Sequence, residues 1–96
     1  MEALPDRDMT PSEYLNATKK AMQIESDYAL AKRLEVNNAM ISKMRQGTRT
    51  IPTIMATKIA IALNIDPMTV IADLEAQHEK NPRKADFWRS FPSRAG

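Results

Sequence analysis

Cysteine is absent from the chain and histidine occurs once, at His78. No disulfide framework or thiolate metal centre is therefore available, and a single imidazole does not make a histidine-based metal site. Glycine occurs only at Gly47 and Gly96, and aromatic residues make up 5% of the sequence. No glycine-rich phosphate loop, catalytic carboxylate pair or histidine-centred dyad can be assembled, so the chain is not read as an enzyme and no cofactor is implied. No apolar run approaches the roughly 18 residues needed to span a bilayer, and no basic segment precedes an apolar stretch. The expected location is cytoplasmic. Runs of β-branched residues alternating with period two are also missing, which argues against sheet.

What remains is a helical pattern. The 96 residues support one domain, and a chain this short buries only about 60–65% of its extended surface. Net charge is +2, but its distribution is uneven. Residues 32–49 hold Lys32, Arg33, Lys43, Arg45 and Arg49 against Glu35 alone, a local balance of +4. Residues 50–80 hold Lys58 and Lys80 against Asp66, Asp73, Glu75 and Glu79, a balance of −2. A basic middle followed by an acidic stretch is the footprint of one face meeting phosphate, with ordinary surface scatter as the alternative.

Five helices are predicted between short polar turns. Residues 1–9 lack periodicity and read as a flexible N-terminal arm, with Met9 an alternative start. Thr10-Pro11-Ser12-Glu13 is a capping box with proline in the first turn, opening a helix to about Met22 on the stripe Leu15, Thr18, Met22. Ser26 caps a second helix carrying Tyr28, Ala31 and Leu34. A third runs from about Asn38 to Gln46 and stops at Gly47. Ile51-Pro52-Thr53 opens a fourth, with Met55, Ile59, Ala62 and Leu63 at helical spacing and Asn64 at its end. Asp66-Pro67 opens a fifth on Val70, Ile71 and Leu74. Residues 10–80 form the domain, and residues 81–96 a basic, aromatic tail containing Phe87, Trp88 and Phe91.

The informative stretch is Ser26–Gly47, SDYALAKRLEVNNAMISKMRQG. Helices of eight or nine residues are marginal alone and need a fixed crossing. Ala31 is the small residue that permits a close approach, and Leu34, Val36, Ile41 and Met44 lock it from the core side. With these inward, Asn38, Ala39, Ser42, Lys43 and Gln46 share the outward face of the third helix. Met40 is assigned to core packing ahead of groove contact.

The pattern Leu30-Ala31, Leu34, Val36, Ile41-Ser42, Met44 and Gly47 resembles the helix-turn-helix (about residues 26–47) of the phage lambda repressor and Cro family. The resemblance covers roughly residues 11–75. It is closest to small single-domain repressors of filamentous phages and prophages, on the SDYALAK start and the FWRSF tail.

The resemblance implies a five-helix lambda-repressor-like domain whose third helix enters the major groove of double-stranded DNA. Asn38, Ala39, Ser42 and Lys43 would then read bases: Asn38 suits adenine, Lys43 suits guanine, and the Ala39 methyl suits thymine. Gln46, Thr48 and Arg49 would hold phosphate, with Arg45, Lys32, Ser26 and Tyr28 as further phosphate contacts. For Lys43 and Arg45 plain solvation is the alternative. Binding as a homodimer to an inverted-repeat operator follows, with Val70, Ile71, Leu74, His78, Phe87, Trp88 and Phe91 as the candidate dimer surface. The competing assignment for Val70, Ile71 and Leu74 is the intramolecular core, for at least two of them. The aromatic tail packs either in its own domain or across the dimer.

The implied function is transcriptional repression in phage or prophage immunity or lysogeny control, inside a bacterial host cell. No self-cleaving second domain is expected, so relief needs an antirepressor protein or a change in concentration. The alternative is the antitoxin of a toxin–antitoxin pair, which binds a toxin protein through its tail and autoregulates its operon. Two residues depart from the family pattern. Glu35 stands where glycine is usual between the two helices; if the backbone there is left-handed, a non-glycine residue costs on the order of 1 kcal/mol. Asp27 stands near the start of the second helix, where its carboxylate suits the helix dipole but repels phosphate.

Overall fold

The structure, a computed structural model, describes residues 9–90. These residues form six helices and no strand: α1 (Pro11–Met22), α2 (Asp27–Leu34), α3 (Asn38–Gln46), α4 (Thr53–Leu63), α5 (Pro67–His78) and α6 (Pro82–Arg89). None of them is long and apolar enough to cross a membrane.

Local chemistry sets where the helices begin. Thr10 and Glu13 make both bonds of the capping box, at 3.1 and 2.9 Å. The side chains of Ser26, Asn37, Asp66 and Asn81 accept from the first-turn amides of α2, α3, α5 and α6. Only α4 starts without a side-chain cap, behind Pro52.

One device ends the first four helices. Gln23, Glu35, Gly47 and Asn64 all adopt the left-handed conformation. After each, the next amide closes on a carbonyl five residues back, as from Val36 to Ala31 at 2.9 Å and from Thr48 to Lys43 at 3.0 Å. Only one of the four is glycine, so three L-residues bear the steric cost of that conformation.

Between these caps the helices close around one core containing Tyr14, Leu15, Leu30, Leu34, Ile41, Met44, Met55, Ile59 and Val70. Helix α1 packs on α3 and α4, α2 on α3, and α5 bridges α4 and α6. On α4, Met55, Ala56, Ile59 and Ala60 face inward, while Ile54 and Ile61 stand 74% and 71% exposed, seven residues apart.

Three expectations need correction. Residues 82–89 form a sixth helix where only five were expected before the tail: Asn81-Pro82 repeats the cap-then-proline start, Ala85 is buried, and α6 packs on α5. Met9 does not belong to a flexible arm. Its side chain is buried, its amide donates to Asp73 Oδ2 at 3.2 Å, and its carbonyl accepts from Gln77 Nε2 at 2.6 Å. The rest of that segment, residues 1–8, lies outside the described residues, as does Phe91. Val70 is wholly enclosed by its own domain, so it is core rather than dimer surface. Ile71 and Leu74 are half-buried against the same core.

Among the described residues, Asp73 is the buried acid. It accepts from the Tyr14 hydroxyl as well as from Met9 and Gln77, joining the chain before α1 to α1 and α5. Multiple donors are what allow a carboxylate to be buried without a prohibitive desolvation cost.

The left-handed turn at Glu35 (φ 61°, ψ 41°) yields a stability prediction. Its carboxylate is 81% exposed and lies 3.6 Å from Lys58 Nζ, a surface pair worth little. Glu35→Gly is expected to relieve about 1 kcal/mol and raise the melting temperature by roughly 4–8 °C in a circular-dichroism melt. Gly47→Ala should do the reverse by a similar amount. At φ 81° the added methyl meets no atom within 4 Å, so the cost is conformational alone. An unchanged midpoint in Glu35→Gly would show that the turn carries no strain.

Candidate nucleic-acid interface

Helices α2 and α3 are joined by a three-residue turn, Glu35-Val36-Asn37. Val36 leans on the core and Asn37 Oδ1 accepts from the Met40 amide at 2.7 Å, which fixes the first turn of α3. Ala31 is buried on α2, while Ile41 and Met44 anchor the inner side of α3 completely. Met40 is half-buried against the core, in line with its assignment.

The outer side of α3 presents Asn38, Ala39, Ser42, Lys43 and Gln46, all exposed. At 3.6 residues per turn these positions form a single stripe along the helix. Gln46 Nε2 lies 3.4 Å from Ser42 Oγ, a weak contact that leaves both amide and hydroxyl open to other partners. The stripe therefore offers an amide, a methyl, a hydroxyl and an ammonium on a rigid backing. Thr48 and Arg49 continue it, exposed, into the connection before α4. The Thr48 hydroxyl lies 3.2 Å from the Lys43 carbonyl, onto which it donates. No hydrogen bond or ion pair made by the side chain of Lys43 or of Arg49 is found among the described residues.

The remaining candidate contacts are placed less simply. Ser26 is the N-cap of α2, so its hydroxyl oxygen already accepts from the Ala29 amide. Tyr28 is 62% exposed, with Lys32 Nζ 5.3 Å from its ring centroid in a cation–π contact. Arg45 does not share the open face. Its Nε and Nη2 donate to the two oxygens of Asp27 at 2.9 Å each, and its Nη1 donates to Ser12 Oγ at 2.7 Å. Lys19 Nζ donates to the same Asp27 carboxylate at 3.1 Å.

Asp27, read from sequence as a departure that suits the helix dipole but repels phosphate, is thus the hub joining α1, α2 and α3. Arg45 beside it, then Lys19, hold its carboxyl below the usual carboxylate value against the opposing effect of partial burial. The partners Lys19 and Arg45 lie 8 and 18 residues away in sequence. No local pattern signals such a pairing; the one clue is an acid just inside a helix start in a basic neighbourhood.

The proposed dimer residues differ in burial. Val70 is buried, Ile71 and Leu74 are half-buried, and His78 is exposed beside Glu75 at the end of α5. Phe87 is 58% exposed and packs edge-on against Trp88, with ring centroids 5.2 Å apart. No known protein family, curated protein or solved structure matches this chain.

The Asp27 hub sets an acid dependence. A carboxyl whose folded value is depressed contributes stability that is complete above its unfolded value, 3.8, and lost as pH falls through the folded one. In urea titrations at neutral pH, Asp27→Asn should cost about 1 kcal/mol, the low end for charge-assisted bonds because a third of the side chain faces solvent. The gap between wild type and variant should stay constant down to about pH 5 and close as pH drops below 3.8. A gap that persists undiminished at pH 2 would place the loss in packing and not in charge.

Proposed function

We propose that the chain is a sequence-specific DNA-binding protein that represses transcription, with α2, its turn and α3 acting as a helix-turn-helix. The observation that carries this reading is the α3 stripe: Asn38, Ala39, Ser42, Lys43 and Gln46 exposed together over a fully buried Ile41 and Met44. A short polar helix held on a rigid frame fits a major groove about 12 Å wide, and its side chains can pair with base edges there. Lys43 and Asn38 read bases; Arg49 and Lys32 grip phosphate, which supplies affinity without sequence information. The resemblance of Leu30-Ala31, Leu34, Val36, Ile41-Ser42, Met44 and Gly47 to phage repressors points the same way.

In this mechanism a homodimer sets two α3 helices into successive major grooves, about 34 Å apart, and blocks the promoter sterically. Phe87 and Trp88 on α6, with Ile71, Leu74 and His78 on α5, would join the copies. The antitoxin alternative draws on the exposed Phe87, which would bind a toxin protein instead of a second copy. Sedimentation of the purified chain alone, against co-purification with a small partner encoded beside it, separates the two.

The function is tested by fluorescence anisotropy on DNA from the region beside the protein's own gene, against scrambled duplex, across a salt series. Wild type should prefer the native fragment by at least hundreds-fold, with affinity falling steeply in salt. Lys43→Ala should lose that preference, whereas Arg49→Ala should weaken both duplexes about equally and reduce the salt slope by about 0.9. Equal, weak binding of wild type to both duplexes would overturn the reading.

A further inference from the structure

Two cations close to α3, Lys19 and Arg45, are engaged with an acid in the folded chain. Arg45 lies between Ser42 and Gln46 in sequence, on the flank of the stripe, yet its side chain is only 21% exposed. Lys19, on α1, is 22% exposed. Both are drawn onto the carboxylate of Asp27, which accepts two hydrogen bonds from Arg45 and one from Lys19. The third arm of the guanidinium is fixed on Ser12, in the first turn of α1. That end of a helix carries partial positive charge, and Glu13 in the same turn is engaged in the capping box. The two bonds to Asp27 are therefore the charged contacts that hold the Arg45 guanidinium there.

We propose that Asp27 is a specificity-determining residue that works by masking: it holds Arg45 and Lys19 away from the DNA backbone. This rests on the DNA-binding reading above and concerns how grip is limited at that same site. Phosphate contacts strengthen binding to every sequence alike, so each unmasked cation raises non-specific affinity and dilutes discrimination. A fixed acid beside the reading helix withholds two such contacts. What is left on the stripe side is weighted toward hydrogen bonding by Asn38, Ser42 and Lys43, which reads sequence.

The test uses the full-length chain on scrambled duplex and on the native fragment, over a salt series. Asp27→Asn should bind scrambled duplex several-fold more tightly at low salt. Its plot of log affinity against log salt should steepen by about 1 to 2, at about 0.9 per added phosphate contact. Preference for the native fragment should fall correspondingly, and Asp27→Glu, which keeps a carboxylate, should behave as wild type. On scrambled duplex, where base reading plays no part, Arg45→Gln should leave the wild-type salt slope intact, because Arg45 holds no phosphate while masked. Its preference for the native fragment is not expected to be preserved, since the same contact orients α3. An unchanged slope in Asp27→Asn, or a slope reduced by about 0.9 in Arg45→Gln, overturns the proposal. Should Asp27→Asn fail to fold in a thermal melt, Arg45→Gln and Lys19→Gln decide alone, a retained slope supporting masking and a shallower one refuting it. Wild type that binds all duplexes equally would defeat the repressor reading while leaving the slope comparison on scrambled DNA valid. No binding to any duplex at low salt defeats both.

Discussion

The bidentate contact between Arg45 and Asp27 is the constraint on which the presentation of α3 depends. Apolar burial supplies most of the free energy of a domain this size, but it is non-directional. Ile41 and Met44 would be content with a range of rotations about the α3 axis that keep them covered. Two hydrogen bonds at 2.9 Å to one carboxylate are not so tolerant, because a planar guanidinium meets a planar carboxylate in few geometries. The third bond, to Ser12, extends that restriction to α1. Orientation of the outward stripe is thus set by a polar contact, on a frame whose stability comes from elsewhere.

Asp73 performs a parallel task elsewhere in the fold. It fastens the backbone of Met9 and the hydroxyl of Tyr14 to α5, so the chain entering α1 is held before the first helix begins. The two acids differ in environment: Asp73 is 7% exposed and takes bonds from an amide, a phenol and a carboxamide, whereas Asp27 is a third exposed and takes them from cations. The buried acid is held by donors aimed at it, the rim acid by charge partners, as the rising cost of desolvation with depth requires.

Features encoded within four or five residues were legible in the sequence. Thr10, Ser26 and Asp66 cap where their side-chain chemistry indicated, and Gly47 and Asn64 end helices in the left-handed conformation that suits them. The inward set Leu34, Ile41 and Met44 and the outward set on α3 follow from period alone. Helix α6 was missed although Asn81-Pro82 carries the same start as Asp66-Pro67, because PRKADFWR has too few apolar positions to show a stripe. Helix α4 fails in the opposite way: TIMATKIAIAL is apolar nearly all round, so nothing in it says that Ile54 and Ile61 face outward. Met9 on Asp73 and Arg45 on Asp27 join residues 64 and 18 positions apart, and no periodic pattern encodes such a distance.

The Arg45 contact also changes what the charge distribution means. The balance of +4 over residues 32–49 includes Arg45, while Asp27, which neutralises it, lies five residues before that window opens. Lys32 is partly occupied over the Tyr28 ring. Basic residues counted along a chain therefore overstate the cations available on its surface, and here the shortfall falls beside α3. A DNA-binding face with fewer phosphate contacts has a shallower salt dependence and a weaker non-specific hold. It must recover affinity from base contacts or from a second copy, and both routes favour the correct sequence over a random one. On the proposed DNA-binding reading, the near-neutral total of +2 and the acid at the start of α2 belong to one design, in which electrostatic attraction is restrained so that the polar stripe on α3 would decide where the protein binds.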